Sequence, residues 1–549
     1  MRRILLAAVV LALAAALPAC GSGGTPSNAA EAGLPWWSER TFYEVFVRSF
    51  KDSDGDGIGD LNGLTSSLDY LNDGDPATTS DLGITGIWLM PIFASPSYHG
   101  YDVTDYRTVN PDYGTMEDCR AFLDAAHERG IAVLIDLVLN HTSDEHPWFE
   151  ASAAGDPAYA DWYLWRDESP GWKGPWGQQV WQERDGRYYY ALFWEKMPDL
   201  NLENPAVVAE LQDVARFWLE DVGVDGFRVD AAQHFVEQGP VQADTVASRR
   251  WMAEFTDFVH RTDPTALILG EVWQPTAVTS RYVPGAADLV FDFDFSQEGL
   301  SAALQTGLAG PLTEVLEELA ASYRPGRAAT FLTNHDMARV WTAVAAGAPS
   351  DMVEPIVHLC ATVLLTAPGT PFVYYGEEVG LAGDKPDERI RTPMPWTGEA
   401  PGVGFTTGEP WEAPDSGFAE RNVAAQEGDP DSLLSLYRSL IQFRNSSAAL
   451  RFGDLITVAT GNDAVAAYLR SAGDDHVLVV LNLTGEPVAD YALSLAQGPR
   501  GDVTGAAVVA GTGAAVAAPE IGDSGGFDGY RPLGPLPPFA AVVIQLTGG

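Results

Sequence analysis

At 549 residues the chain exceeds one minimal domain, and its 46% apolar and 20% charged content is that of a folded, globular protein rather than a disordered one. A formal net charge of -44 argues against nucleic acid and anionic membrane surfaces as partners and fits a soluble exported protein. Sixteen tryptophans and nineteen tyrosines supply many flat apolar faces, which serve core packing and also suit sugar rings.

The amino terminus, Met1-Arg2-Arg3 followed by an apolar run to Leu17, reads as a signal peptide over residues 1–19, too short to span a bilayer. Leu17-Pro18-Ala19-Cys20 resembles a bacterial lipobox, with cleavage before Cys20, lipid on its thiol and a flexible tether over residues 20–35. The expectation is an exported protein at the cell surface, touching the membrane only through that lipid anchor. An ordinary secretory signal is the alternative. Cys119 and Cys360 either pair in an oxidising compartment or stay as buried thiols.

Thr41 to Val47 is rich in aromatic and β-branched residues and predicts a strand. The loop beyond it places Asp52, Asp54, Asp56 and Asp60 at alternate positions between glycines, as a hard cation requires. The pattern departs from an EF-hand loop because its twelfth position is Gly63. The reading is a calcium loop of another kind, with those four carboxylates and the Ile58 carbonyl as ligands. Strand-like and helix-like runs then alternate, the pattern of a parallel sheet wrapped by helices. Strands are predicted at 84–90, 131–138, 222–230, 266–271, 288–292, 328–333 and 371–375, and helices at 116–129, 205–222, 245–260 and 433–444. From His141 to Met197 the alternation gives way to a stretch dense in Trp, Tyr, Gly and Pro, which predicts an inserted subdomain. Beyond Leu450, short β-runs between Gly, Pro and Asp predict an all-β carboxyl-terminal domain.

The strand ends carry the chemistry. Arg228 and Asp230 alternate on one strand and so face the same side, at the end where parallel barrels build their sites. The arginine is expected to keep Asp230 ionised, as a nucleophile needs. Glu271, flanked by Leu267 to Leu269 and Trp273, is the candidate for a raised pKa and a proton-donating role. Asp336 ends a further strand, and His141 and His335 offer hydrogen bonds to hydroxyls. Two carboxylates with opposed protonation states are what glycoside hydrolysis uses.

On these motifs the chain resembles the α-amylase family of glycoside hydrolases (family 13) from Trp36 to the carboxyl terminus. The motifs are Asp136 to His141, Gly226 to His234, Glu271-Val272-Trp273 and Phe331 to Asp336, with the flanking runs Gly83 to Pro91 and Gly369 to Glu377. The resemblance implies an α/β (β/α)8 TIM barrel over residues 36–140 and 198–447, a B domain inserted after strand three at 141–197, and a β-sandwich C domain at 448–549. It implies a retaining mechanism in which Asp230 is the nucleophile, Glu271 the acid and then the base, and Asp336 a stabiliser of the transition state. Arg228 would hold Asp230, and Tyr101, His141 and His335 would line the subsite of the cleaved bond. Asn140, Asp199 and the His234 carbonyl would hold a second calcium, if one is present.

Met197-Pro198-Asp199-Leu200-Asn201 and Arg391 to Trp396 resemble the oligo-1,6-glucosidase, neopullulanase and intermediary amylase groups. Pro96 to Tyr101, with Tyr98 and His99 as substrate contacts, resembles the endo-amylases, because exo-acting glucosidases usually carry an aspartate where Tyr98 stands. The resulting expectation is a monomeric hydrolase of α-1,4 bonds in starch or maltodextrins. An α-glucosidase, a neopullulanase-like hydrolase or a transglycosylase is the second reading. A non-catalytic glucan-binding surface protein is the third, disfavoured because all three acids are present.

Overall fold

The computed structural model describes residues 33–498, 503–511 and 515–548, so the signal-peptide and Cys20 expectations lie outside the described residues. Eight parallel strands close a barrel in sequential order: β1 (Phe42–Val45), β2 (Gly86–Leu89), β3 (Ala132–Leu137), β4 (Gly226–Val229), β5 (Leu267–Gly270), β6 (Leu289–Phe291), β7 (Ala328–Phe331) and β8 (Thr370–Tyr374). β8 pairs back onto β1 through Phe42 and Phe372, whose rings stack 4.6 Å apart. The barrel is filled rather than hollow. Phe42, Trp88, Leu134, Leu269, Phe291 and Phe372 meet inside it, each worth roughly 1.5–3 kcal/mol when fully buried.

The crossover helices include α1 (Met116–Glu128), α2 (Pro205–Arg216), α3 (Val246–Thr262), α4 (Ala309–Ser322), α5 (Val353–Thr366) and α6 (Leu433–Ser446). Their starts follow local chemistry: Thr115 and Asp118 form a reciprocal capping box on α1, and Asn204-Pro205 opens α2. The strand expected at 222–230 is shorter, because Val222 ends a wider helical turn over Phe217–Val222 that Gly223 closes in the left-handed region. β4 then starts at Gly226, whose φ of 151° and backbone contact with Leu267 leave no room for a side chain.

Between β3 and α2 the chain forms short strands at Trp165–Arg166, Trp181–Arg184 and Arg187–Tyr190 around Val180, Trp181, Tyr190 and Leu192. After α6 comes an antiparallel five-stranded sheet of β9 (Asp454–Thr457), β10 (Val465–Ala472), β11 (Asp475–Asn482), β12 (Val503–Ala510) and β13 (Ala541–Gly548). It packs through Leu478, Val480, Leu493 and Phe527 onto a two-stranded ribbon, Leu493–Leu495 with Phe527–Tyr530. Cys119 and Cys360 are both free and buried. Among the described residues no helix is long and apolar enough to cross a membrane.

Candidate active site

A cleft of about 800 Å³ opens at the carboxyl ends of the strands, with Tyr101, His141, Asp230, Glu271 and Asp336 in its walls. Beneath it lies Arg228, whose side chain is 1% exposed, on β4. Its Nη1 donates to Asp230 Oδ1 at 2.6 Å and to Asp136 at 2.9 and 3.0 Å, and its Nη2 lies 2.9 Å from Glu271 Oε2. One guanidinium therefore holds the two carboxylates named from sequence together with a third, from β3. Trp88 underlies the fork, its ring centroid 5.1 Å from the guanidinium carbon.

Arg228 is not the only influence on these carboxyls. Burial raises the Asp230 carboxyl above its usual range despite Arg228 and His335, so the arginine alone does not set it. Burial also raises Glu271, opposed by Arg228 and reinforced by the negative charges of Asp230 and Asp336. Asp136, fully enclosed, is pushed up to about 7. The first cause is burial, and the neighbouring carboxylates add to it: Arg228 alone serves Asp136, Asp230 and Glu271.

Asp336 is the exception. Burial would raise it, but His335, Arg391 and Arg228 outweigh that and hold it well below the ordinary carboxylate range. His335 Nε2 lies 3.2 Å from Asp336 Oδ2, and Arg391 Nη2 donates to Oδ1 at 3.1 Å. His335 itself donates from Nδ1 to Glu44 Oε1 at 2.6 Å and meets the Tyr101 hydroxyl at 2.7 Å. Burial lowers its pKa, but Asp336 and Glu44 raise it further, to about 9, so it is an imidazolium at neutral pH. Both of its nitrogens are engaged by protein. His335 lies beneath the cleft, and in this structure its ring bonds to Glu44, Asp336 and Tyr101.

His141 fits the donor role. Burial drives it down to about 3, leaving the ring neutral, and its buried Nε2 has no partner among the described residues. Tyr101 lies between the rings of His335, at 5.5 Å, and His99, at 6.1 Å, and donates from its hydroxyl to Asp136 Oδ2 at 3.0 Å. His99 lines the cleft, but Tyr98 does not. The Tyr98 ring is taken up by Trp411, 5.4 Å away, and by the Arg391 guanidinium, 5.8 Å away. Ala231, directly after the nucleophile candidate, sits at φ 51°, a costly conformation for a residue with a side chain. There its amide donates to Glu271 Oε2 at 2.9 Å.

Sequence reasoning missed Glu44, Asp136, Lys385, Asp387 and Arg391 as parts of this site. Asp136 and Arg391 stood inside quoted motifs. Glu44 has only one signal, a charge in the otherwise apolar run Phe42–Val45.

In the acidic loop, Asp52, Asp54 and Asp60 bring carboxylate oxygens within 4.8 Å of one another. Asp52 and Asp60 are buried, and like charges so close favour a cation between them. Asp56 lies outside that trio and accepts from the Ile58 amide at 2.8 Å. Asp52 also accepts from the Thr406 hydroxyl and donates its amide to the Phe405 carbonyl, anchoring the loop to a distant segment. The second-calcium residues meet differently. Asn140 donates its amide to Asp199 Oδ2 at 2.9 Å, and His234 donates from Nδ1 to the Gln242 carbonyl at 2.6 Å. Asn140 and Asp199 form a hydrogen-bonded latch between barrel and insertion.

A parallel barrel with paired, buried carboxylates at its mouth is the arrangement of an enzyme of the sugar-bond-cleaving class. The family described as "Alpha amylase, catalytic domain" matches residues 44–453. Alpha-amylase 3 of Dictyoglomus thermophilum is 40% identical over 456 residues, 82% of this chain and 85% of its own. Oligo-1,6-glucosidase of Parageobacillus thermoglucosidasius is 31% identical over 82% of this chain and 90% of its own. The crystal structure of the α-amylase from H. orenii superposes with a TM-score of 0.77 at 35% identity, covering 92% of this chain and 99% of that one. The chain belongs to the α-amylase family of glycoside hydrolases.

Proposed function

We propose that the protein hydrolyses α-1,4-glucosidic bonds within starch and maltodextrins, with retention of anomeric configuration. The observation that carries this is the Arg228 fork, which holds Asp230 and Glu271 at one cleft beside ionised Asp336. In the first half-reaction an Asp230 oxygen bonds to the anomeric carbon as the glycosidic C–O bond breaks, and Glu271 gives its proton to the departing oxygen. Glu271, now ionised, takes a proton from water, whose oxygen attacks the same carbon and frees Asp230. Asp336, fixed by His335 and Arg391, faces the positive charge that grows on the sugar ring, and His141 Nε2 supplies a donor to a ring hydroxyl.

Internal cleavage is favoured over trimming from chain ends because Tyr98 stands where exo-acting glucosidases usually carry an aspartate. Digestion of maltoheptaose labelled at its reducing end tests this. Mixed maltose and maltotriose products from the outset are expected; release of glucose alone would overturn it in favour of an α-glucosidase, and cleavage of isomaltose with maltoheptaose left intact would overturn it in favour of an oligo-1,6-glucosidase. A calcium ion at Asp52, Asp54 and Asp60 is proposed as structural. Bound there, it would neutralise the carboxylates and strengthen the hold on residues 405–411. Export and lipidation at Cys20 are part of the same proposal and rest on the lipobox-like sequence. Incorporation of labelled palmitate, lost in Cys20→Ala, checks it.

A further inference from the structure

One buried carboxylate beneath the cleft has no place in the cleavage chemistry. Glu44 is the third residue of β1, in register with Trp88 on β2 and Tyr374 on β8. Alternation along the strand puts it on the side of Phe42, one layer nearer the barrel mouth than that interior ring. Its side chain is 2% exposed and does not line the cleft. An isolated carboxylate is costly to bury, so a fold keeps one where a cation stands beside it. Among the described residues no arginine or lysine pairs with Glu44. Arg228 is held by Asp136, Asp230 and Glu271, and Arg391 by Asp336 and Asp387. Glu44 makes its ion pair with His335, 2.6 Å from Nδ1.

The surroundings of that ring fix how many protons it carries. Nδ1 faces the Glu44 carboxylate. Nε2 faces Asp336 Oδ2 at 3.2 Å and the Tyr101 hydroxyl at 2.7 Å, whose own proton goes to Asp136 Oδ2. A neutral imidazole donates from one nitrogen and offers a lone pair at the other. On either side that lone pair would meet an acceptor, so only the imidazolium satisfies both. The remaining neighbours do not change this. Trp88 stands edge-on to the ring at 5.6 Å, Tyr374 donates its hydroxyl to the Ile390 carbonyl, and Arg391 Nε donates to the His335 backbone carbonyl. Asp136 and Asp230 also feel the ring's charge, but their ion pairs are with Arg228. Burial pulls His335 down, and Asp336 first and Glu44 second more than restore it.

We propose that Glu44 is a positioning residue for bond cleavage: its carboxylate fixes the second proton of His335, so that Nε2 keeps a donor directed at Asp336 and Tyr101. This rests on the hydrolase reading of the cleft and adds to it a group that never meets the sugar. Asp336 is thereby oriented and kept ionised from below, through a ring held by the first strand of the barrel. Glutamine at this position would fill the same space and still accept from Nδ1–H. It would favour the neutral ring, whose lone pair at Nε2 then faces Asp336.

Glu44→Gln tests this in two ways. Nitrogen NMR of protein carrying 15N-histidine reports the ring itself, with His335 assigned by the signal missing in His335→Gln. In the unmodified protein the ring should be half-protonated at about pH 9. In Glu44→Gln that midpoint should fall by about two units, toward the ordinary histidine value of about 6.5, a roughly hundredfold weaker hold on the proton. Activity should follow the proton. Relative to the unmodified protein, kcat/KM of Glu44→Gln on maltoheptaose should be about fivefold lower at about pH 7.5 than at about pH 5.5, where solvent protonates the ring. Glu44→Asp, which keeps the charge, should lose less of this ratio. An unmoved His335 midpoint, or a loss equal at the two pH values, would overturn the proposal. So would a singly protonated His335 at about pH 7 in the unmodified protein, a result that needs no variant to fold. Should the protein cleave isomalto-oligosaccharides and not maltoheptaose, the linkage reading fails by itself. The NMR result then stands as before, and the pH comparison is made on isomaltotriose.

Discussion

Replacing Arg228 by methionine removes the cation that touches Asp136, Asp230 and Glu271 while keeping much of the apolar stem. Four close donor–acceptor contacts, at 2.6 to 3.0 Å, disappear from a side chain that is 1% exposed. Charge-assisted hydrogen bonds are worth about 1.5–3 kcal/mol each, but the stranded carboxylates respond by taking up protons. The net loss near neutral pH should therefore be that of breaking a buried ion pair, about 3–5 kcal/mol. The sign of its pH dependence follows from the same geometry. Carboxyls already raised by burial rise further without the arginine, and a protonated carboxyl needs no counter-charge, so the deficit shrinks as pH falls. Urea unfolding followed by tryptophan fluorescence at about pH 5 and about pH 7.5 measures it. The acid limb of kcat/KM, set by protonation of the nucleophile, should move up by about one unit or more. A stability deficit equal at the two pH values, or an acid limb that stays in place, would refute the shared-cation reasoning.

Glu271→Gln should lower kcat/KM on maltoheptaose by about 10³-fold or more and do far less to α-maltosyl fluoride, which leaves without a proton; equal losses on both would remove Glu271 from the acid role. Chelation with EDTA should lower the melting temperature by several degrees, since an ion at 100 times its Kd adds about 2.7 kcal/mol, and calcium should restore it. The Asp52→Asn variant should show neither response, and an EDTA-insensitive melt of the unmodified protein would count against the calcium loop. Stability should fall as pH rises toward 9. Buried Glu377, raised to about 8 and bonded to the Tyr437 hydroxyl, contributes stability present below about 4.5 and lost as pH passes 8, and His335 contributes stability present below about 6.5 and lost through about 9. Melting temperatures between about pH 6 and pH 9 check this against Glu377→Gln, which should flatten the slope; a melt that rises with pH would reverse the sign.

The barrel was legible because its strands are short apolar runs ending in polar clusters, a pattern set by a filled interior below an open mouth. The three acids and Arg228 were legible for the same reason, since alternation along β4 already places Arg228 and Asp230 on one side. What escaped was pairing at long range. Glu44 reaches His335 across 291 residues of sequence, and Arg391 reaches Asp336 across 55, and neither spacing has a local signature. The protein partners of His335 and Tyr98 were hidden for one cause: a polar or aromatic side chain in a motif says what it can offer, and the fold decides who takes it. The sequence displayed the arginine beside Asp230 but not how many carboxylates share it, nor the burial that raises the Asp230 carboxyl.

The central claim is that Asp230 bonds to the sugar while Glu271 manages the proton. Incubation with 5-fluoro-α-glucosyl fluoride, followed by proteolysis and mass spectrometry, tests it most directly. A fluoroglucosyl adduct on the peptide carrying Asp230, absent in Asp230→Asn, is the predicted result. An adduct on Glu271 or Asp336, or no adduct together with release of β-configured products by NMR, would contradict it.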